Sequence, residues 1–259
     1  MLLRTVAFLR LVVLMALGLS MAPASALAGE TLVAVAANFT KAAKEIATAF
    51  EADSGHQVRL SFGSTGKLYA QIAHGAPFEV FLAADAVRPA LAEENGLAVP
   101  GSRFTYAQGR IVLYSREDGV IDAAGEILRT PERIDRLALA NPKTAPYGAA
   151  AIQTMTALGV LDGLRPRFVR GDSIAQTFQF VVTGNAPVGF VAVAQVQDRE
   201  GGSRWMVPPE LYDPIVQDAV LLKTGADNPA AQAFHRFLQS DAAREIIARN
   251  GYGLDDQEP

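Results

Sequence analysis

The residues of this chain best suited to chemistry are Ser61-Phe62-Gly63-Ser64-Thr65-Gly66-Lys67-Leu68. The alternating run before them, His56 to Leu60, has the period of a strand, and Leu68, Ile72 and Ala73 after them are spaced for one helix face. Glycines and the Ser64 and Thr65 hydroxyls at a strand-to-helix turn let backbone N–H groups converge on something negative. The helix start adds about half a positive charge to that convergence. The chemistry is that of an anion cradle, and the plainer role for Ser64 is a helix N-cap.

A nucleotide P-loop needs a glycine five positions before its Gly-Lys pair and Ser or Thr directly after it. Those positions hold Ser61 and Leu68 here, so nucleotide binding is excluded. A nucleophile elbow fails as well, because Gly63 and Gly66 do not flank one central serine at the required spacing. Three further strand-to-helix turns carry related residues: Asn38, Tyr147-Gly148 and Ser173-Ile174. In open α/β sheets, such turns at the carboxyl ends of strands are where ligands bind. The donors they offer are amides and hydroxyls, with no carboxylate. A fully ionised oxyanion has only acceptors and matches that set, whereas a ligand with a proton to donate finds no partner. Asn38 and Ser173 also read as ordinary helix caps. Lys67 and Lys143 lie near the turns and read as solvated surface residues.

The elements that must hold these turns follow from the alternation of apolar runs. Leu32 to Ala37 is a strand buried on both faces, and a helix beginning at Asn38 carries Ala42, Ile46, Ala49 and Phe50. Strand His56–Phe62, helix Thr65–His74 and strand Phe78–Ala84 follow, with Asp85 capping the next helix. After a polar loop beyond Pro100 come strand Gly109–Ser115, a helix start at Thr130-Pro131, strand Leu137–Ala140 and helix Ala149–Leu158. A helix capped by Ser173, strand Val188–Val193, strand Ile215–Leu222 and two closing helices complete the pattern, with Trp205 in an irregular stretch. Strand–helix alternation of this kind is the mark of α/β sheets. The parsing is two α/β lobes, residues 29–108 with 216–259 and residues 109–215, joined by two crossings of a hinge. A cleft between them would gather all four turns.

Arg4 and Arg10, the apolar run Leu11–Met21 and the small residues through Ala28 read as a secretory signal peptide over residues 1–28. The run is too short for a comfortable membrane span. Removing 28 of 259 residues leaves 231, with Lys plus Arg falling from 23 to 21 against 27 acidic residues, a net charge of −6. That sign does not point to nucleic acid or an acidic membrane as partner. The chain has no cysteine, which excludes disulfides, thiol catalysis and thiolate metal sites. Its three histidines have no metal-ligand spacing.

Val35-Ala36-Ala37-Asn38-Phe39-Thr40, Phe62-Gly63-Ser64-Thr65-Gly66, Gly75 to Phe81 with Asp85, and Asn141-Pro142-Lys143-Thr144-Ala145-Pro146-Tyr147-Gly148 together resemble the periplasmic molybdate-binding proteins of molybdate ABC transporters. The resemblance covers nearly all of the chain after residue 28. It implies a type II periplasmic-binding fold, capture of molybdate or tungstate, delivery to an inner-membrane ABC permease, and neither catalysis nor a cofactor. Molybdenum would be held only as the oxyanion. By position it implies Asn38, Thr65, Tyr147 and Ile174 as ligand residues, the last two through backbone amides, with Ala37, Ser64 and Ala192 as additional candidates. Some members place a tyrosine hydroxyl on the anion from the strand matching Gly189–Val193. Ala192 stands there, so that contact is absent or taken over by Asn38 or Tyr147. A monomer in the periplasm is the simplest expectation. The alternatives are a binding protein for sulfate, thiosulfate or phosphate, and an exported α/β hydrolase, for which no histidine lies in a cleft loop. The effector lobe of a transcription regulator is excluded by the signal peptide and the lack of a helix-turn-helix.

Overall fold

The computed structural model of the chain describes residues 28–254. The signal-peptide reading, apart from Ala28, lies outside the described residues. In chain order the elements are β1 (Glu30–Ala36), α1 (Thr40–Ser54), β2 (Gln57–Gly63), α2 (Thr65–Ala73), β3 (Val80–Leu82), α3 (Val87–Glu94), β4 (Phe104–Gly109) and β5 (Ile111–Ser115). Then follow β6 (Leu137–Ala140), α4 (Pro146–Ala157), α5 (Leu161–Leu164), β7 (Phe168–Gly171), α6 (Ile174–Val182), β8 (Val188–Ala192) and α7 (Val193–Val196). The last are β9 (Ser203–Met206), β10 (Ile215–Leu221), α8 (Pro229–Phe237) and α9 (Asp241–Arg249). Among the described residues no helix is long and apolar enough to cross a membrane.

The strands form two five-stranded sheets, ordered β2-β1-β3-β10-β4 and β7-β6-β8-β5-β9. Each is parallel except for its fourth strand, β10 in the first sheet and β5 in the second. Those two strands follow the chain's passages between sheets, from β4 through Arg110 to β5 and from β9 back to β10. The passages lie side by side, because Gly109 pairs with Ile215. Each sheet with its helices is one lobe, and two adjacent strands make the hinge.

Both lobes are three-layered because their central strands are apolar on both faces. Along β1, Val33 and Val35 join Phe39, Ile46, Phe50 and Phe234 in a core under α1, α8 and α9. Ala34 points the other way, into a core with Leu68, Ile72, Phe81 and Val220 under α2 and α3. The second lobe repeats the arrangement. Leu137, Leu139, Ile111 and Phe190 pack with Ala151 and Met155 of α4, while Ala138, Val112 and Val191 pack with Val181 of α6.

Three strands, β4, β7 and β9, are not expected from the sequence. All are edge strands, half solvated and mixed in polarity, so their pattern carries no clear period. Trp205 lies in β9 paired with Leu113 rather than in an irregular stretch, and it is buried. The helix expected at Thr130-Pro131 is one 3₁₀ turn, Pro131–Arg133. Helix α4 begins at Pro146, three residues before the expected start.

Candidate anion-binding site

The carboxyl ends of the parallel strands meet at a small cavity between the lobes. The first lobe lines it with Ala36, Ala37, Asn38, Gly63, Ser64, Thr65 and Ala84, the second with Ala145, Pro146, Tyr147 and Ile174. The space open to the centre of a water-sized sphere is about 10 Å³, the scale of one small ion or water. Among the described residues no charged side chain lines it. The cavity therefore brings together Ala37, Asn38, Ser64, Thr65, Tyr147 and Ile174. Ala192 is not among the lining residues. It is fully buried, and its N–H is already spent on Gln195 Oε1 at 2.9 Å. Gln195 in turn donates to the Ile174 carbonyl at 3.2 Å, so Ala192 supports the start of α6 without facing the cavity.

Helices α2, α4 and α6 all begin at this cavity, and the first N–H groups of a helix have no intrahelical acceptor. Each start also carries about half a positive charge. Pro146 opens α4 without an N–H, which makes Tyr147 its first donor. The turn before α4 is possible because residue 148 is glycine, since a Cβ there would lie 2.2 Å from the Ala140 carbonyl oxygen. Ser173 caps α6 as expected, its Oγ accepting from Gln176 N at 3.3 Å. Ser64 occupies the cap position of α2 but makes no capping bond. Its Oγ is buried and without a hydrogen-bond partner. Thr65 Oγ1 accepts from Ala84 N at 3.0 Å, which leaves its own O–H to donate.

Asn38 is not a helix cap. It sits in the 3₁₀ turn Ala37–Phe39 between β1 and α1, and its side chain turns toward the hinge. Its Nδ2 donates to Gln217 Oε1 at 2.8 Å, Tyr252 Oη at 3.2 Å and Tyr147 Oη at 3.4 Å. Tyr252 Oη donates to the Asn38 carbonyl at 2.8 Å, and Tyr106 Oη to the Ala83 carbonyl at 2.9 Å. Gln217 Nε2 also reaches Tyr147 Oη at 3.4 Å. Two turns that line the cavity, one from each lobe, are thus tied through buried side chains to the hinge strand β10. Sequence reasoning does not find Tyr106, Gln217 and Tyr252. One signal is present: Gln217-Asp218, two consecutive polar residues inside an otherwise apolar strand, which is where β10 bulges.

Burial pushes the Tyr106, Tyr147 and Tyr252 phenols well above the ordinary tyrosine range. A proton held more tightly in the folded state stabilises the fold at pH values below the unfolded tyrosine value, and that stability is lost as pH rises beyond it. The unfolding free energy from denaturant titration is expected to fall steeply between about pH 10 and 12, by up to about 1.4 kcal/mol per pH unit for each phenol. Phenolate absorbance from these three should appear together with unfolding and not before it.

A family model for bacterial extracellular solute-binding proteins matches residues 31–253. The molybdate-binding protein ModA of Rhodobacter capsulatus is 56% identical over 227 residues, 88% of this chain and 89% of that protein. The protein of the same name from Azotobacter vinelandii is 53% identical over 248 residues, 95% of this chain and 97% of its own. Among solved structures, an Azotobacter vinelandii periplasmic molybdate-binding protein superposes with a TM-score of 0.84 at 39% identity, covering 87% of this chain and all of that one. All three are named for binding and none for catalysis. With a match along nearly its whole described length, the chain belongs to the bacterial extracellular solute-binding proteins, within the group named for molybdate, and its two lobes have the type II periplasmic-binding-protein fold.

Proposed function

We propose that this chain captures molybdate, and tungstate in the same site, and hands it to an ABC permease in the inner membrane. The observation that carries the reading is the cavity itself: three helix starts and an unpartnered buried serine hydroxyl, with no charged group on the wall. The N–H groups of Ala37, Asn38, Thr65, Tyr147 and Ile174 and the hydroxyls of Ser64 and Thr65 would supply the donors. A hydrogen bond to a charged group contributes about 1.5–3 kcal/mol, and micromolar binding needs only about 8 kcal/mol in total. Neutral donors therefore suffice even after desolvation and lobe closure take their share. Phosphate at neutral pH keeps a proton that needs an acceptor, and no carboxylate lines the cavity to accept it. Sulfate has no such proton, so its rejection would rest on size.

In this reading the lobes are residues 29–108 with 216–259 and residues 109–215, closing about the hinge on an anion that both contact. The membership of the two sheets supports that division to within one residue at each crossing, Gly109 and Ile215 belonging to the first sheet. The anion is the cargo and no separate cofactor takes part. The exported, periplasmic location is supported by the basic and apolar pattern of residues 1–28, and a monomer suffices because both lobes of one chain complete the site.

Calorimetric titration of the chain from residue 29 with molybdate, tungstate, sulfate and phosphate at neutral pH tests the proposal. Tight one-to-one binding of the first two, with no heat from the others, is expected. Tight sulfate or phosphate binding would replace molybdate as the cargo, and silence from all four would overturn the oxyanion reading.

A further inference from the structure

Among the described residues the lobes are also joined away from the hinge cluster by Lys41 with Asp198 and by Gln197 Nε2 donating to the Arg249 carbonyl at 2.7 Å, and three further contacts run along the starts of α2 and α3. Gly66 N donates to the Thr144 carbonyl at 2.9 Å. Lys67 Nζ pairs with Asp172 Oδ2 at 2.9 Å. Arg88, held by Asp85 at 2.8 Å, donates from Nη2 to the Lys143 carbonyl at 3.4 Å. Gly66 and Lys67 belong to the first turn of α2, whose start lines the cavity, while Lys143, Thr144 and Asp172 shortly precede the lining residues Ala145 and Ile174.

Two features set this seam apart from chance surface contacts. Gly66 N–H is one of the open donors at the start of α2, yet it serves the opposite lobe and not the cavity. The approach is also so close that a Cβ on residue 66 would lie 3.0 Å from Thr144 Cα and 3.2 Å from its carbonyl oxygen. A side chain there would have to push one backbone away from the other.

We infer that Gly66, Lys67 and Asp172 form a release latch, a set of positioning residues that hold the lobes shut and set how long the anion stays. The inference rests on the oxyanion reading. Each contact joins one lobe to the other, so it stabilises the closed form alone and acts on the off-rate. The ion pair has a second effect. Asp172 without Lys67 would leave a carboxylate near the cavity that holds a dianion, and Lys67 without Asp172 would leave a free cation there. Both single variants speed release, but they move the on-rate in opposite directions, down for Lys67→Ala and up for Asp172→Ala.

The test follows isotopically labelled molybdate leaving the protein under a chase of unlabelled anion, with association rates measured in parallel. Gly66→Ala is expected to release at least about tenfold faster. Lys67→Ala and Asp172→Ala should each release about two- to fivefold faster, in keeping with a solvent-exposed pair. Their double variant should be no faster than either single one, the exchanged pair Lys67→Asp with Asp172→Lys should recover slow release, and raising salt should shrink all the ion-pair effects. Unchanged release in Gly66→Ala and Lys67→Ala, from protein that binds molybdate and keeps its thermal midpoint, would overturn the latch and leave the oxyanion reading standing. Absence of binding by the unaltered chain would overturn the reading instead. In that event the chain's lack of cysteine allows the latch to be judged without ligand. The double variant Lys67→Cys with Asp172→Cys should be joined by a short bismaleimide, and failure to join would sink it.

Discussion

Replacing Ser64 with alanine is expected to weaken molybdate binding about ten- to a hundredfold while leaving the ligand-free protein as stable as before, or more so. The Ser64 hydroxyl is buried at the cavity wall and has no hydrogen-bond partner among the described residues. Its removal breaks no internal bond and relieves an unsatisfied polar group, a change worth about 1–3 kcal/mol in favour of the fold. What is lost is a donor to a charged ligand, about 1.5–3 kcal/mol, which sets the expected fall in affinity. Thr65→Ala provides the contrast. The Thr65 hydroxyl accepts from Ala84 N, so that variant should lose affinity and stability together. Calorimetry with molybdate and thermal denaturation without it check both. A destabilised Ser64→Ala with undiminished affinity would mean that the hydroxyl holds a structural water and not the anion.

Asn38→Asp should have the larger effect, a loss of about a thousandfold or more at neutral pH. The substitution is nearly isosteric, so packing around the residue is preserved, and two electrical changes remain. The donor to Gln217 Oε1 at 2.8 Å becomes a carboxylate facing an acceptor. A unit negative charge also arrives beside the cavity at a residue only 4% exposed. At about 5 Å from a dianion and an effective dielectric of about 20, the repulsion is roughly 7 kcal/mol. Screening and relaxation reduce that figure but do not bring it near zero. Asn38→Ala removes the donor without adding the charge and should cost far less, about tenfold. Titration of the two variants side by side separates the contributions. Equal losses would show that the side chain acts only by holding the hinge cluster together.

Much of the site is legible in the amino-acid sequence because it is built from backbone at helix starts. Strand-to-helix turns announce themselves by a change of hydrophobic period together with glycine, proline and small hydroxyl residues, and the turns at Ser64-Thr65, Pro146-Tyr147 and Ser173-Ile174 all do so. Ile174 shows the strength of this kind of reading. Its side chain has no affinity for an anion, yet its place at the head of α6 brings it to the cavity. Asn38 shows the weakness. An asparagine after a strand looks like a cap, and whether its amide turns to its own helix or to Gln217 and Tyr252, far along the chain, depends on contacts that no local pattern contains.

The sequence by itself determined that this is an α/β protein with donor-rich turns at its helix starts and no thiol chemistry. Those properties follow from local composition and from periods of two and 3.6 residues. Only the tertiary structure decided which donors reach the cavity and which serve the protein. Ser64 Oγ was left open, Gly66 N–H was drawn to Thr144 across the cleft, and Ala192 N–H was taken by Gln195. The physical reason is that a hydrogen bond is decided over about 3 Å by the exact approach of two groups. In this protein those approaches are set by how two separately folded sheets meet at a hinge.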